Sequence, residues 1–334
     1  MAQRKERIDR GIKARSDDLY ALASWREMLY VAGPRLLPVL GVLVLPLVLG
    51  PYWQKVLLSV ATYGLLAVSW DFLYGAGLIS LGQSLFFGAG AYVAGSLNHY
   101  WGWPPLFTIP VATVGGAVLC TLLLLPVLRL RGIYFAMVTL VMPLMFVRLI
   151  EATRMLGGTE GLTGLSGLPN VWVESYLVLF AVLGALFGFR RIMTSDYGLV
   201  FRAIHDNDRA VMRAGHNLYA RKAQALFLAS AVGSFAGAFM THAYLFVGMP
   251  VFALDYSIMP IAAGVVGGPG TLAGPVLGAL ILVPVSEALR ALGALRIVVY
   301  GLFLVIFSVG LPEGIFPFLV RKYHQFERWT GVES

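Results

Sequence analysis

Apolar residues run through this chain in long blocks, broken by short polar connections. Ten such blocks stand out: 36–52, 56–74, 78–98, 105–128, 133–150, 172–189, 223–246, 255–267, 272–288 and 297–317. Most reach the roughly 20 residues that a helix needs to cross the hydrocarbon core at 1.5 Å per residue. The pattern predicts an all-α polytopic membrane protein with about ten transmembrane segments. Segment 255–267 is too short and ends in Gly267-Gly268-Pro269-Gly270. It reads as a broken or re-entrant helix, which is tolerated only where protein or a water-filled cavity shelters its backbone.

The polar connections carry an uneven charge. With the N-terminus in the cytoplasm, the leader, 129–132, 190–222 and the C-terminal tail all fall inside. Together they hold 20 of the 25 Lys and Arg. The exceptions are Lys55, Arg148, Arg154, Arg290 and Arg296. That bias places both termini in the cytoplasm. It requires 255–288 to count as two crossings; one crossing would put Arg321 and Lys322 outside. The chain divides into a basic leader (1–35), a transmembrane domain (36–320) that includes the loop 190–222, and a tail (321–334). In the leader, Leu19, Leu22, Trp25 and Leu29 recur at helical spacing, as in an interfacial helix. A disordered basic tail up to about Arg15 describes its first half equally well. No small-x-small cleavage site follows the first apolar run, so the leader does not read as a cleavable signal.

Composition sharpens this reading. Hydrophobic residues make up 58% and charged residues 13% of the chain, far from soluble norms. The net charge of +8 lies in loops and tails, with no basic stripe for nucleic acid. Cys120 stands alone, and His99, His205, His216, His242 and His324 are scattered; neither set has metal-ligand spacing. Gly-Lys-Ser/Thr, His-Glu-x-x-His and Gly-x-Ser-x-Gly are absent. The chain therefore has no nucleotide-hydrolysing loop of its own. Asp71, Asp255 and Glu287 fall near span ends, Asp71 within reach of the interface, and Arg148 and Glu151 pair at i,i+3. No deep chain of carboxylates suggests proton coupling. Gly184/Gly188, Gly233/Gly237, Gly264/Gly268 and Gly274/Gly278 predict close helix crossings. His99 to Trp103 forms an aromatic interface anchor, and 151–174 is the longest outer loop.

The charged island 190–222 contains seven Lys/Arg and three Asp. Ser195-Asp196 predicts a helix start and Gly215 a stop. At 100° per residue, Val200, Val211 and Gly215 fall within about 40° of Ile204, with Phe201 and Met212 at the margin. Arg202, Asp206, Arg209 and Arg213 take the opposite side. Asp208 sits on the apolar side, either at a helix edge reaching water or facing a partner's donor.

Four stretches resemble the membrane subunits of branched-chain amino-acid ABC importers, of the LivM type. They are Gly77 to Tyr92 (GLISLGQSLFFGAGAY), Leu128 to Leu140 (LRLRGIYFAMVTL), Gly157 to Leu162 (GGTEGL), and Gly198 to Gly215 followed by Lys222. Gln83 stands where the family usually has His, and Asp208 where it usually has Glu. The resemblance implies a transport subunit in a bacterial cytoplasmic membrane, with no catalytic residues, cofactor or metal. Its expected partners are a second homologous permease, two ATPase subunits, an extracytoplasmic solute-binding protein, an amino-acid solute and membrane lipid, and no nucleic acid. Arg202, Asp206, Asp208, Arg209 and Gly215 become candidates for ATPase coupling. Asp208 then falls at the family's acidic position, which favours the partner-facing alternative. Ser80, Gln83, Ser84 and Thr139 are candidates for the translocation pathway, with plain interhelical hydrogen bonding the alternative. The family also carries urea and short amides. An ion-coupled transporter or channel is the rival of a different class.

Overall fold

The computed structural model describes residues 3–7, 38–289, 298, 301–302, 305, 309–310, 313–323 and 327–331. The leader helix expected around Leu19 to Leu29 lies outside the described residues, as does most of the segment expected at 297–317. The described chain is mostly helical: α1 Pro38–Val48, α2 Pro51–Gly75, α3 Gln83–Trp101, α4 Pro105–Leu124, α5 Ile133–Thr153 and α6 Val171–Met193. These are followed by α7 Asp196–Asp206, α8 Asp208–Arg213, α9 Leu218–Tyr244, α10 Asp255–Gly267, α11 Ala273–Ala288 and α12 Ile315–Tyr323. Near the chain ends, Gln3–Arg7 pairs antiparallel with Glu327–Gly331.

Six stretches among the described residues are long and apolar enough to cross a membrane: α2, α4, α5, α6, α9 and the run Met249–Gly267 that includes α10. The helices α1 and α11 are apolar but shorter. Thus six stretches meet the length and hydropathy of a span, against the ten expected from sequence.

The centre of the bundle is α3 crossing α9. A Cβ at Gly237 would overlap the Phe87 carbonyl oxygen, and one at Gly90 would overlap the Ser234 backbone. Backbones this close explain why small residues occupy the crossing. The expected pairs Gly233/Gly237 and Gly274/Gly278 do lie at helix contacts, against α3 and α10 respectively. Gly264 meets the Trp70 ring, and Gly268 takes φ +114° in a loop. Gly184 and Gly188 have nothing within 4 Å of a built Cβ, so that pair marks no contact within the chain.

One expected span is interrupted. Residues 76–82 are not helical, so the block 78–98 becomes a loop followed by α3. Gly77, at φ +75°, turns the chain against the His205 backbone. The freed amides of Leu81 and Gly82 are taken by Thr139 Oγ1 at 3.1 Å and Ser80 Oγ at 3.3 Å. On the other side of the bundle, α9 ends at Tyr244, and the chain descends through a 3-10 turn, Met249–Phe252, before α10. Val247 and Leu162 exchange backbone hydrogen bonds at 2.8 and 3.2 Å. This shelters irregular backbone inside protein, as lipid requires.

The α10–α11 pair resolves how 255–288 is folded. Asp71 does not reach an interface; it is 1% exposed. Its carboxylate accepts the Gly270 and Leu272 amides at 2.5 and 2.7 Å, where α11 begins. At the other end of α11, Glu287 accepts from the Tyr52 hydroxyl at 3.1 Å. Tyr52 and Asp71 are about 29 Å apart along α2 at the helical rise, close to the hydrocarbon thickness of about 30 Å. So α11 runs back along nearly the whole of α2, antiparallel to it.

Candidate functional site

The island folds as two helices at the end of the bundle where α2 and α6 finish and α9 begins. The single amphipathic helix expected from sequence is split at Asn207, whose φ of −159° and ψ of 100° leave the helical region. Its side chain caps α8, accepting from the Arg209 and Ala210 amides at 3.0 and 3.3 Å. The break cancels the angular projection across it: Val211 is still buried, whereas Met212 and Gly215 face outward. Gly215 does stop the helix. At φ +82° its amide reaches Met212 O, and the His216 amide reaches Val211 O, the paired bonds of a Schellman end. Ser195 precedes α7, but its hydroxyl donates back to Ile192 O at 2.6 Å instead of capping.

The inner face of α7 is Gly198, Phe201 and Ile204. Phe201 meets Phe72 edge-on at 5.8 Å, and Phe72 stacks on Phe189 at 4.1 Å, joining α7 to α2 and α6. Burying a side chain of this size is worth about 1.5–3 kcal/mol. His205 Nδ1 lies 2.9 Å from Tyr74 O at the end of α2. Arg202 Nη2 donates to Met193 O at 2.9 Å, closing the C-terminus of α6. The unit therefore rests on the ends of the spans, not on a flexible tether.

Of the five coupling candidates, Arg202, Asp206, Arg209 and Gly215 are exposed, as are Leu199 and Met212 of the same two helices. Asp208 differs. It turns inward to Lys222 Nζ at 3.1 Å and Arg131 Nε at 3.5 Å. Lys222 is 3% exposed. Sequence reasoning missed both partners, because Arg131 is 77 residues upstream of Asp208 and Lys222 lies on another helix.

Ser80, Gln83, Ser84 and Thr139 are all fully buried, around the broken start of α3. Ser84 N and Oγ both meet Ser257 Oγ at 3.0 Å, and Ser69 Oγ lies 3.3 Å from Gln83 Oε1. Ser69 also donates to Ala229 O at 2.8 Å. Gln83 Nε2 has no hydrogen-bond partner. Thus α2, α3, α5, α9 and α10 converge on one sealed polar cluster.

A second polar cluster lies at the opposite end of the bundle, among Asn98, Thr108, Ser166 and His242. His242 Nδ1 is 2.8 Å from Ser166 O, and Nε2 is 2.6 Å from Thr108 Oγ1. A carbonyl only accepts, so Nδ1 carries a proton, and in the neutral ring Nε2 accepts a hydrogen bond from the Thr108 hydroxyl. Asn98 hydrogen-bonds Ser166 through both its amide nitrogen and its oxygen. These contacts, with the Leu162–Val247 bridge, seat the 154–170 loop on that end of the bundle. Gly157 to Leu162 was legible as a motif; its docking was not.

A protein-family comparison matches residues 52–308 to the family described as "Branched-chain amino acid transport system / permease component". The high-affinity branched-chain amino acid transport system permease protein LivM of Escherichia coli (strain K12) is 28% identical over 273 residues, covering 72% of this chain and 64% of that protein. Its Salmonella typhimurium counterpart is 27% identical with the same coverage. A probable branched-chain amino acid transport permease protein LivM of Methanocaldococcus jannaschii is 24% identical, covering 64% and 68%. The chain thus spans slightly less than two thirds of the two enterobacterial relatives. No solved structure matches.

Proposed function

Because this chain belongs to the family of permease components of branched-chain amino acid transport systems, we propose that it is the membrane subunit of an ATP-driven importer for branched-chain or related amino acids. The family match over most of the chain carries this reading. The chain has no nucleotide-binding motif, so the energy comes from separate subunits. The exposed face of α7 and α8 suits their docking, with Arg202, Asp206 and Arg209 as the charged contacts and Gly215 ending α8. In this reading the island end is cytoplasmic, two ATPase subunits bind there, and a homologous permease packs alongside. A solute-binding protein delivers amino acid at the mouth held by the 154–170 loop. The membrane is the bacterial cytoplasmic membrane, crossed about ten times. Transport is alternating access: closure of the ATPase pair shifts α7 and α8, and the spans reorient around the sealed cluster at Ser80, Gln83, Ser84 and Thr139.

The test is reconstitution with candidate ATPases, a partner permease and a binding protein in proteoliposomes. Uptake driven by ATP and stimulated by the binding protein is expected. Asp206→Lys with Arg209→Glu should abolish ATPase co-purification. Uptake by the purified chain alone, driven by an ion gradient, would refute the reading.

A further inference from the structure

Three parts of the chain meet at one carboxylate oxygen. Asp208 Oδ2 receives Lys222 Nζ at 3.1 Å and Arg131 Nε at 3.5 Å. Asp208 begins α8, Lys222 stands in the second turn of α9, and Arg131 sits in the connection from α4 to α5. Lys222 is doubly costly where it stands. Its ammonium is withdrawn from water, and it lies near the positive end of the α9 dipole. Asp208 is the only acidic partner recorded for it among the described residues. Deleting Asp208 leaves the Lys222 ammonium bare and buried, deleting Lys222 leaves Asp208 with Arg131 alone, and deleting both strands no buried charge.

We propose that Asp208, Lys222 and Arg131 form an ion-pair junction that makes α8, the start of α9 and the entry to α5 move as one body. Lys222 and Arg131 are then positioning residues for coupling, and Asp208 serves from behind the docking face instead of on it. The inference rests on the importer reading above. It supplies the route that reading needs. Motion of the α7–α8 surface passes to α9, which crosses α3 at Gly237, and to α5, whose Thr139 holds the Leu81 amide at 3.1 Å beside Gln83. Both ends of that route lead to the sealed polar cluster.

The experiment compares Asp208→Asn, Lys222→Met, the double variant, Arg131→Gln and Asp208→Glu. In the reconstituted complex, the two readouts are ATPase co-purification and ATP hydrolysed per solute imported. Each neutralising variant is expected to raise ATP per solute about tenfold, with the double no worse than either single, because one shared interaction is lost. ATPase co-purification stays within about twofold of wild type throughout, and Asp208→Glu retains coupling. Loss of ATPase binding by Asp208→Asn but not by Lys222→Met would mean that Asp208 touches the partner, and overturns the junction. So would single effects that multiply in the double. If the buried variants fail to fold, Arg131→Gln, which changes a half-exposed side chain, still tests the α5 arm. Hydrogen exchange on the chain alone separates this inference from the importer reading. Asp208→Asn and Lys222→Met should both speed exchange over 207–216, and unchanged exchange refutes the junction whether or not any ATPase binds. A wild-type chain that recruits no ATPase refutes the importer reading instead.

Discussion

Replacing Asp71 with alanine tests how the α10–α11 pair is held. The buried carboxylate accepts two backbone amides, that of exposed Gly270 at 2.5 Å and that of buried Leu272 at 2.7 Å. Alanine leaves both donors without this acceptor at the start of a 16-residue helix. The orphan at buried Leu272 costs about 1–3 kcal/mol, while the amide of exposed Gly270 can turn to water, so the loop should lose about 1–3 kcal/mol of local stability. At about 1.4 kcal/mol per tenfold, the lower bound speeds exchange of the 272 amide roughly fivefold. Asp71→Asn keeps one acceptor oxygen and should fall between. The assay is site-resolved hydrogen exchange in detergent, read against amides in α9 as an internal control. Wild-type protection of 270–274 in Asp71→Ala refutes the reasoning; the loop would then be held by Pro317 and the Glu313 carbonyl, which adjoin Gly268. Global loss of protection, in α9 as well, would show that the hairpin is integral to the bundle's cooperative unit.

Three further outcomes follow from the geometry. Gly237→Leu drives a side chain into the Phe87 carbonyl and should lower stability by about 1–3 kcal/mol or more, seen as a drop in the detergent melting temperature; an unchanged melt would deny the α3–α9 crossing. Gly215→Val forces a β-branched residue to φ +82° and should cost about 1–2 kcal/mol, confined to exchange in α8. Cysteines at 162 and 247 sit in a hydrogen-bonded antiparallel pair, with Cα atoms about 5.5 Å apart, within disulfide range. Oxidation should stop uptake reversibly if solute enters past the 154–170 loop, and undiminished uptake by the cross-linked protein would show that it does not.

The spans were legible where apolar runs were continuous, as in α4, α5 and α6, because lipid-facing helices must be apolar along their length. The stop at Gly215 was legible because a left-handed end needs glycine. The split at Asn207 was hidden by an angular projection that assumes an unbroken helix, whereas an Asn side chain competes for the next two amides. Residues 78–82 read as part of a span because Leu78, Ile79 and Leu81 are apolar; their break depends on Thr139, more than fifty residues away. Asp71 looked like an interface residue because its donors, the amides of Gly270 and Leu272, lie about two hundred residues further on. The His242 contacts and the inward turn of Asp208 are likewise products of distant pairing. What local pattern encodes is where helices run; what it leaves out is which polar groups they bring together.

The centre of the bundle has a consequence for how the protein is made. α3 carries Gln83, Ser84, Asn98 and three glycines, and thirteen of its nineteen residues are buried by other helices. It is absent from the stretches apolar enough to cross on their own. Lipid is therefore a poor solvent for α3, and its stable environment is protein, chiefly α9. Synthesis delivers α9 more than a hundred residues after α3, roughly ten seconds later at about 5–20 residues per second. During that interval α3 must be shielded by the insertion machinery or by α2 and α4. Nascent chains truncated before Leu218 are the ones expected to lose α3 from the membrane. The residues that let two backbones touch at Gly90 and Gly237 thus also set the order in which this protein can be assembled.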